Sequence, residues 1–223
     1  NTQNICGDFG IILVSHLDKR QFVYMKVTLS IIALFLATSF VPNPVEETIK
    51  SLVKDDMPYL VDFYKVRHQH PEVSLHEKET AAALAKEIKS IGYEVTENFG
   101  GYGVVGIFRN GKGPTILYRT DMDALPMKEK TGLAYQSKDD SAMHSCGHDM
   151  HMTTWVGVAR AMIQMKDKWK GTLMLIGQPA EELGAGAKLM IDAGLYETFG
   201  VPTYGIGLHA NAILPIGSIG IAP

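Results

Sequence analysis

From about residue 93 onward, short β-branched runs alternate with longer stretches at helical spacing, and that alternation narrows the possible folds more than any other feature. Strands are predicted over residues 93–97, 103–109, 114–120, 171–177 and 204–209, and helices over residues 150–165 and 186–193. The order argues for an α/β domain whose mostly parallel sheet is flanked by helices. Asn110-Gly111-Lys112-Gly113 between the second and third runs predicts a hairpin there. Upstream, residues 45–70 read as helical, with Pro58 dividing the stretch or beginning its second helix. Ser74-Leu75-His76-Glu77 fits a capping box, after which Ala81, Leu84, Ile88 and Ile91 share one face and Gly92 closes the helix.

A chain of 223 residues that is 46% hydrophobic and 20% charged has enough apolar side chains for one domain or one and a half. Its 21 basic and 24 acidic residues are scattered without a block of like charge, so no nucleic-acid partner is expected. Cys6 and Cys146 are the two cysteines, which excludes a disulfide framework.

The N-terminus stands apart. Met25-Lys26 opens an apolar run of about ten residues followed by Ala37-Thr38-Ser39, the anatomy of a signal peptide over residues 25–40. Pro42 and Pro44 then break any helix. A secreted or periplasmic protein is expected, the alternative being a buried N-terminal helix. Residues 1–24 carry no assignable pattern.

In α/β sheets, active sites gather beyond the carboxyl ends of strands. Asp121 and Asp123 follow one predicted strand, Glu181 and Glu182 another, and His209 ends a third. Between them His144-Ser145-Cys146-Gly147-His148-Asp149-Met150-His151 crowds a thiol, three imidazoles and a carboxylate into a loop that runs into a helix. Thiolate, imidazole and carboxylate are the usual ligands of zinc and related ions, and Gly147 lets Cys146 and His148 turn towards one centre. The alternative is a buried thiol beside solvated histidines. A closed structural zinc site would need more cysteines. Adjacent glutamates repel unless a cation divides their work, one carboxylate held by metal while the other takes a proton from water. Otherwise they simply start a helix, where acidic residues suit the macrodipole.

Four ordered blocks carry a resemblance: Tyr118-Arg119-Thr120-Asp121-Met122-Asp123-Ala124-Leu125-Pro126, His144-Ser145-Cys146-Gly147-His148-Asp149, Gln178-Pro179-Ala180-Glu181-Glu182 and Gly207-Leu208-His209. Over residues 45–223 the sequence resembles the amidohydrolase branch of the aminoacylase and carboxypeptidase di-metal metallopeptidases, which includes hippurate hydrolases and auxin-conjugate hydrolases. The resemblance implies a di-zinc exopeptidase-like catalytic domain. It implies Cys146, His148, Glu182 and His209 as ligands of two divalent metals, zinc or manganese first and cobalt or nickel as alternatives, with Glu181 as general base. Asp121, Asp149 and His151 would orient ligands from outside, although His151 also reads as a satisfied helix histidine; His144 is left undecided, and His68, His70 and His76 are expected to be solvated.

The substrate implied is an N-acyl amino acid or short peptide, with a peptidase of the same superfamily and a non-enzymatic metal-binding fragment as the alternatives. The resemblance further implies an inserted lid that supports a homodimer and a returning segment with one more histidine. The sequence reaches Pro223 about where that insertion would begin, so weak metal binding and poor turnover are expected of these residues alone.

Overall fold

The computed structural model describes residues 43–221, so the expected signal peptide over residues 25–40 lies outside the described residues. Among the described residues, those from Ile49 onward form one compact unit. The helices are α1 (Pro44–Gln69), α2 (Lys78–Ser90), α3 (His148–Gln164), α4 (Gly186–Asp192) and α5 (Leu195–Phe199). The strands are β1 (Glu94–Thr96), β2 (Val104–Asn110), β3 (Thr115–Asp121), β4 (Gly171–Gln178) and β5 (Tyr204–Gly207).

The strands make one sheet in the order β1-β2-β4-β3-β5. The α/β class stands, and the sheet is mixed: β3 runs parallel to β4 and β5, whereas β2 is antiparallel to β1 and β4. The expected hairpin does not form, because β4 lies between β2 and β3. The connecting turn passes over the start of β4, where Thr172 donates its N–H to Pro114 O at 2.9 Å. A Cβ on Gly113 would sit 2.9 Å from Gly171 Cα, so the glycines permit a close crossing rather than a two-stranded turn.

Side chains alternate across the sheet and build a core on each face. Val104, Tyr118, Leu173 and Leu175 pack with Leu84 and Ile88 of α2 and Met152, Trp155 and Val156 of α3. Val105, Ile107, Met174 and Ile176 face the other way, towards Met190 of α4 and Leu195 of α5. Apolar groups on both faces explain the unbroken run Leu173–Ile176 in the middle strand.

Two local expectations are corrected. Pro58 lies inside α1 and does not divide it. The residues around it are held by tertiary contacts, Leu60 in the core and Asp56 in a two-pronged pair with Arg160 of α3, both bonds 2.8 Å, which offset the missing hydrogen bond. The capping box is also absent. Glu72 caps α2, its two oxygens accepting the N–H groups of Glu79 and Thr80 at 3.1 and 2.7 Å. Ser74 and Glu77 are thereby free for longer-range partners.

Candidate metal centre

Asp121 pairs in register with Gln178, so β3 and β4 end at the same level. The loops leaving them, the segment beyond β5 and the start of α3 meet there. Gly147, just ahead of α3, has φ +85°, a conformation that costs glycine little. With the chain turned there, one donor atom each of Cys146, His148 and His209 lie within 4.8 Å of one another.

His148 belongs to every such group among the described residues: with Cys146 and His209, with Asp121 and His151, and with Glu181 and Glu182. It is fully buried, and its Nδ1 lies 2.7 Å from Asp123 O, an acceptor that requires the proton on Nδ1. In the neutral ring Nε2 then presents a lone pair. That nitrogen is buried without a hydrogen-bond partner, 3.6 Å from Asp121, 3.7 Å from Glu181 and 3.8 Å from Glu182. Burial opposes charge on His148, but the bond to Asp123 and the Asp121 and Asp123 carboxylates outweigh it and raise its pKa. Cys146 lies 3.4 Å from His209 Nε2, whose Nδ1 is 2.6 Å from Ala210 O.

The glutamate pair is held through its backbone. Asp123 accepts the N–H groups of Glu181 and Glu182 at 3.1 and 3.0 Å and the hydroxyl of Ser74 at 2.6 Å. Burial alone would raise the Asp123 pKa, but these bonds and His148 hold it well below the carboxylate range. The side chain of Glu182 is 20% exposed and that of Glu181 37%. Glu182 Oε1 is also buried without a partner.

Around this cluster, His151 bonds Asp121 at 2.7 Å through Nδ1, and Arg119 donates to the same carboxylate at 2.8 Å. Burial would raise the Asp121 pKa, but His151, His148 and Arg119 lower it. Asp149 points elsewhere: its carboxylate bonds His68 at 2.6 Å, and His68 reaches Glu129 at 3.2 Å with its other nitrogen. His68 is thus buried between two carboxylates rather than solvated, while His70 and His76 are exposed as expected. His144 is buried with neither nitrogen bonded, and burial, then the charge of His148, lowers its pKa to about 3, so the ring is neutral.

The donor set fits a cation. Burial, then Glu182 and other nearby carboxylates, pushes the Cys146 thiol up to about 11, so a metal-binding thiolate needs positive charge beside it. The unpartnered Nε2 of His148, facing three carboxylates, asks for the same. Cys146, His148, Glu181, Glu182, His209, Asp121 and His151 are gathered here; Asp149 is turned towards α1. From sequence Asp123 was placed at a strand end but given no role, and Ser74 and Glu77 were not assigned to the site. The two-residue spacing of Asp121 and Asp123 was the available signal for Asp123, since such residues point the same way from an extended chain.

Sulfur, imidazole and carboxylate donors at the carboxyl ends of strands give this α/β domain a candidate metal centre. Residues 117–223, just under half of the chain, match the model of peptidase family M20/M25/M40. Hippurate hydrolase of Campylobacter jejuni is 41% identical over 172 residues, covering 75% of this chain and 43% of that protein. N-acetyl-L-cysteine deacetylase of Bacillus subtilis is 39% identical over 163 residues, 73% of this chain and 38% of the relative. A solved Bacillus subtilis structure, described as a dinuclear metal binding peptidase from the M20 family, aligns with a TM-score of 0.70 at 36% identity, covering 76% of this chain and 47% of that one. The chain spans less than half the length of the curated relatives it matches.

Proposed function

We propose that the chain supplies the metal-binding part of an amidohydrolase that cleaves the amide bond of N-acyl amino acids. The observation that carries this reading is His148 Nε2, buried without a partner and faced by Asp121, Glu181 and Glu182. The named activities of the relatives, hippurate hydrolase and N-acetyl-L-cysteine deacetylase, support the substrate class.

On this reading Cys146, His148, Glu182 and His209 hold two divalent ions, zinc or manganese first and cobalt or nickel as alternatives. The ions, when bound, polarise the scissile carbonyl and acidify water. Glu181, the more exposed glutamate, takes the proton of the attacking water and delivers it to the leaving amine. Glu182, with its buried unpartnered oxygen, is the ligand. Asp121 and Asp123 orient His151 and His148 through the bonds described above.

The test is metal analysis together with hydrolysis of N-acyl amino acids by the wild-type protein and its E181Q and E182Q variants. E181Q is expected to keep its metal and lose activity, and E182Q to lose metal; an E181Q variant with full activity sinks the base assignment. The solved relative described as a peptidase favours a second reading, and faster turnover of dipeptides than of N-acyl amino acids would select it.

A further inference from the structure

We propose that Glu77, at the start of α2, is a positioning residue for Glu181, holding the turn that carries the glutamate pair by accepting the backbone N–H of Ala180. The inference rests on the reading of Glu181 as general base.

Glu77 is fully buried, and its Oε1 accepts the Ala180 N–H at 2.7 Å across 103 residues of sequence. With Asp123 bonded to the next two amides, three consecutive N–H groups, those of Ala180, Glu181 and Glu182, end on two buried carboxyl groups. These groups come from different elements, Glu77 from the α2 start and Asp123 from the loop after β3. The turn is fixed from its other side as well: Ala180 O accepts the N–H groups of Ala185 and Gly186, both at 3.1 Å.

The hold works against a backbone preference. Ala180 has φ +47°, a region that residues with a Cβ rarely enter and that persists only where surrounding contacts over-determine it. Releasing the Ala180 amide lets residue 180 relax towards negative φ, which swings the two residues that follow. Glu181 and Glu182 would then lose their facing of His148. A carboxyl group in the first turn of a helix has a common local use, capping that turn, but Glu72 already fills it here.

Only an acceptor oxygen is needed for this hold, so glutamine is the conservative replacement and alanine the disruptive one. The full-length metal-loaded protein is compared as wild type, E77Q and E77A. Hydrogen exchange is measured at the Ala180 amide, and kcat, KM and bound metal are measured with an N-acyl amino acid. In E77A the Ala180 amide is expected to lose protection and kcat per bound metal to fall roughly 10- to 100-fold with KM little changed. E77Q should restore both to within a few-fold. A residue that merely stabilised the fold would lower the melting temperature of E77A and leave kcat per bound metal unchanged, and that result overturns the proposal. Equal defects in E77Q and E77A, or unchanged exchange at Ala180 in E77A, overturn it too. Failure of the base assignment is separately visible: E181Q would retain activity while exchange at Ala180 still responded to E77A.

Discussion

Nε2 of His151 accepts the backbone N–H of Ala210 at 2.7 Å, which leaves the proton of that ring on Nδ1, where it is donated to Asp121 at 2.7 Å. Both nitrogens of a buried histidine are thereby engaged, and the segment carrying His209 is tied to the end of β3. His151 consequently acts on the centre through His209 and Asp121. Replacing it with alanine is expected to weaken divalent-metal affinity about 10- to 100-fold. Isothermal titration of the metal-stripped protein with zinc checks this, and unchanged affinity would remove His151 from the centre.

His68 joins the end of α1 to Asp149 of α3 and to Glu129 in the long loop before α3. Removing it leaves two buried carboxyl groups without their shared partner, so H68A is expected to lose about 3 kcal/mol of unfolding free energy, measured by urea denaturation.

The same site gives a pH dependence. Burial disfavours charge on His68, yet the bonds to Asp149 and Glu129 raise its pKa above the ordinary 6.5; Tyr64 and Tyr135 pack against the ring, and His144 adds a neutral one nearby. A raised folded-state pKa adds stability that is complete below the unfolded value and disappears as pH rises through the folded value. Wild-type stability should therefore decline from pH 6.5 upwards by more than that of H68Q, and parallel profiles would show that His68 does not titrate in this window.

The candidate donors could be grouped from sequence because they are local: Cys146 and His148 flank one glycine, and Glu181 and Glu182 are adjacent. His209 could be placed because it follows a short strand. The holding residues were not legible for the opposite reason. His68 meets Asp149 across 81 residues and Glu77 meets Ala180 across 103, and each sits in or beside a helix where a polar side chain ordinarily faces water or caps a turn. The crossing of β4 between β2 and β3 was hidden similarly. A glycine-rich link of four residues suits a hairpin, and only the Gly113 approach to Gly171 shows why a third strand fits between.

Asp56 and Arg160 tie α1 to α3 by two bonds of 2.8 Å, and the guanidinium also lies 4.6 Å from the centroid of the Tyr59 ring. The hydrogen bond from Arg160 holds the Asp56 pKa below 3.8. A depressed folded-state pKa contributes stability above the unfolded value and loses it as pH falls through the folded one. R160K keeps the charge but loses the fork and the stacking, so about 1 kcal/mol of stability should be lost at neutral pH. That deficit should shrink below pH 3.8, and urea denaturation across the acid range checks both expectations.

The turn after β4 yields the sharpest steric expectation. A Cβ placed on Gly186 would fall 1.5 Å from Pro179 O and 2.6 Å from its carbonyl carbon, both backbone atoms that no side-chain rotation can move aside. Gly186 also gives its N–H to Ala180 O, so relieving the clash would shift the residues that carry Glu181 and Glu182. G186A is expected to destabilise the protein by roughly 3 kcal/mol, at the upper end of ordinary overpacking, because backbone rather than side chain must move. If the turn yields instead of the whole fold, the melting temperature will change little while bound metal falls, since Glu182 would leave His148. Measuring melting temperature and metal content on one preparation separates these outcomes, and an unchanged value for both would mean that the close approach at Gly186 does not constrain the turn.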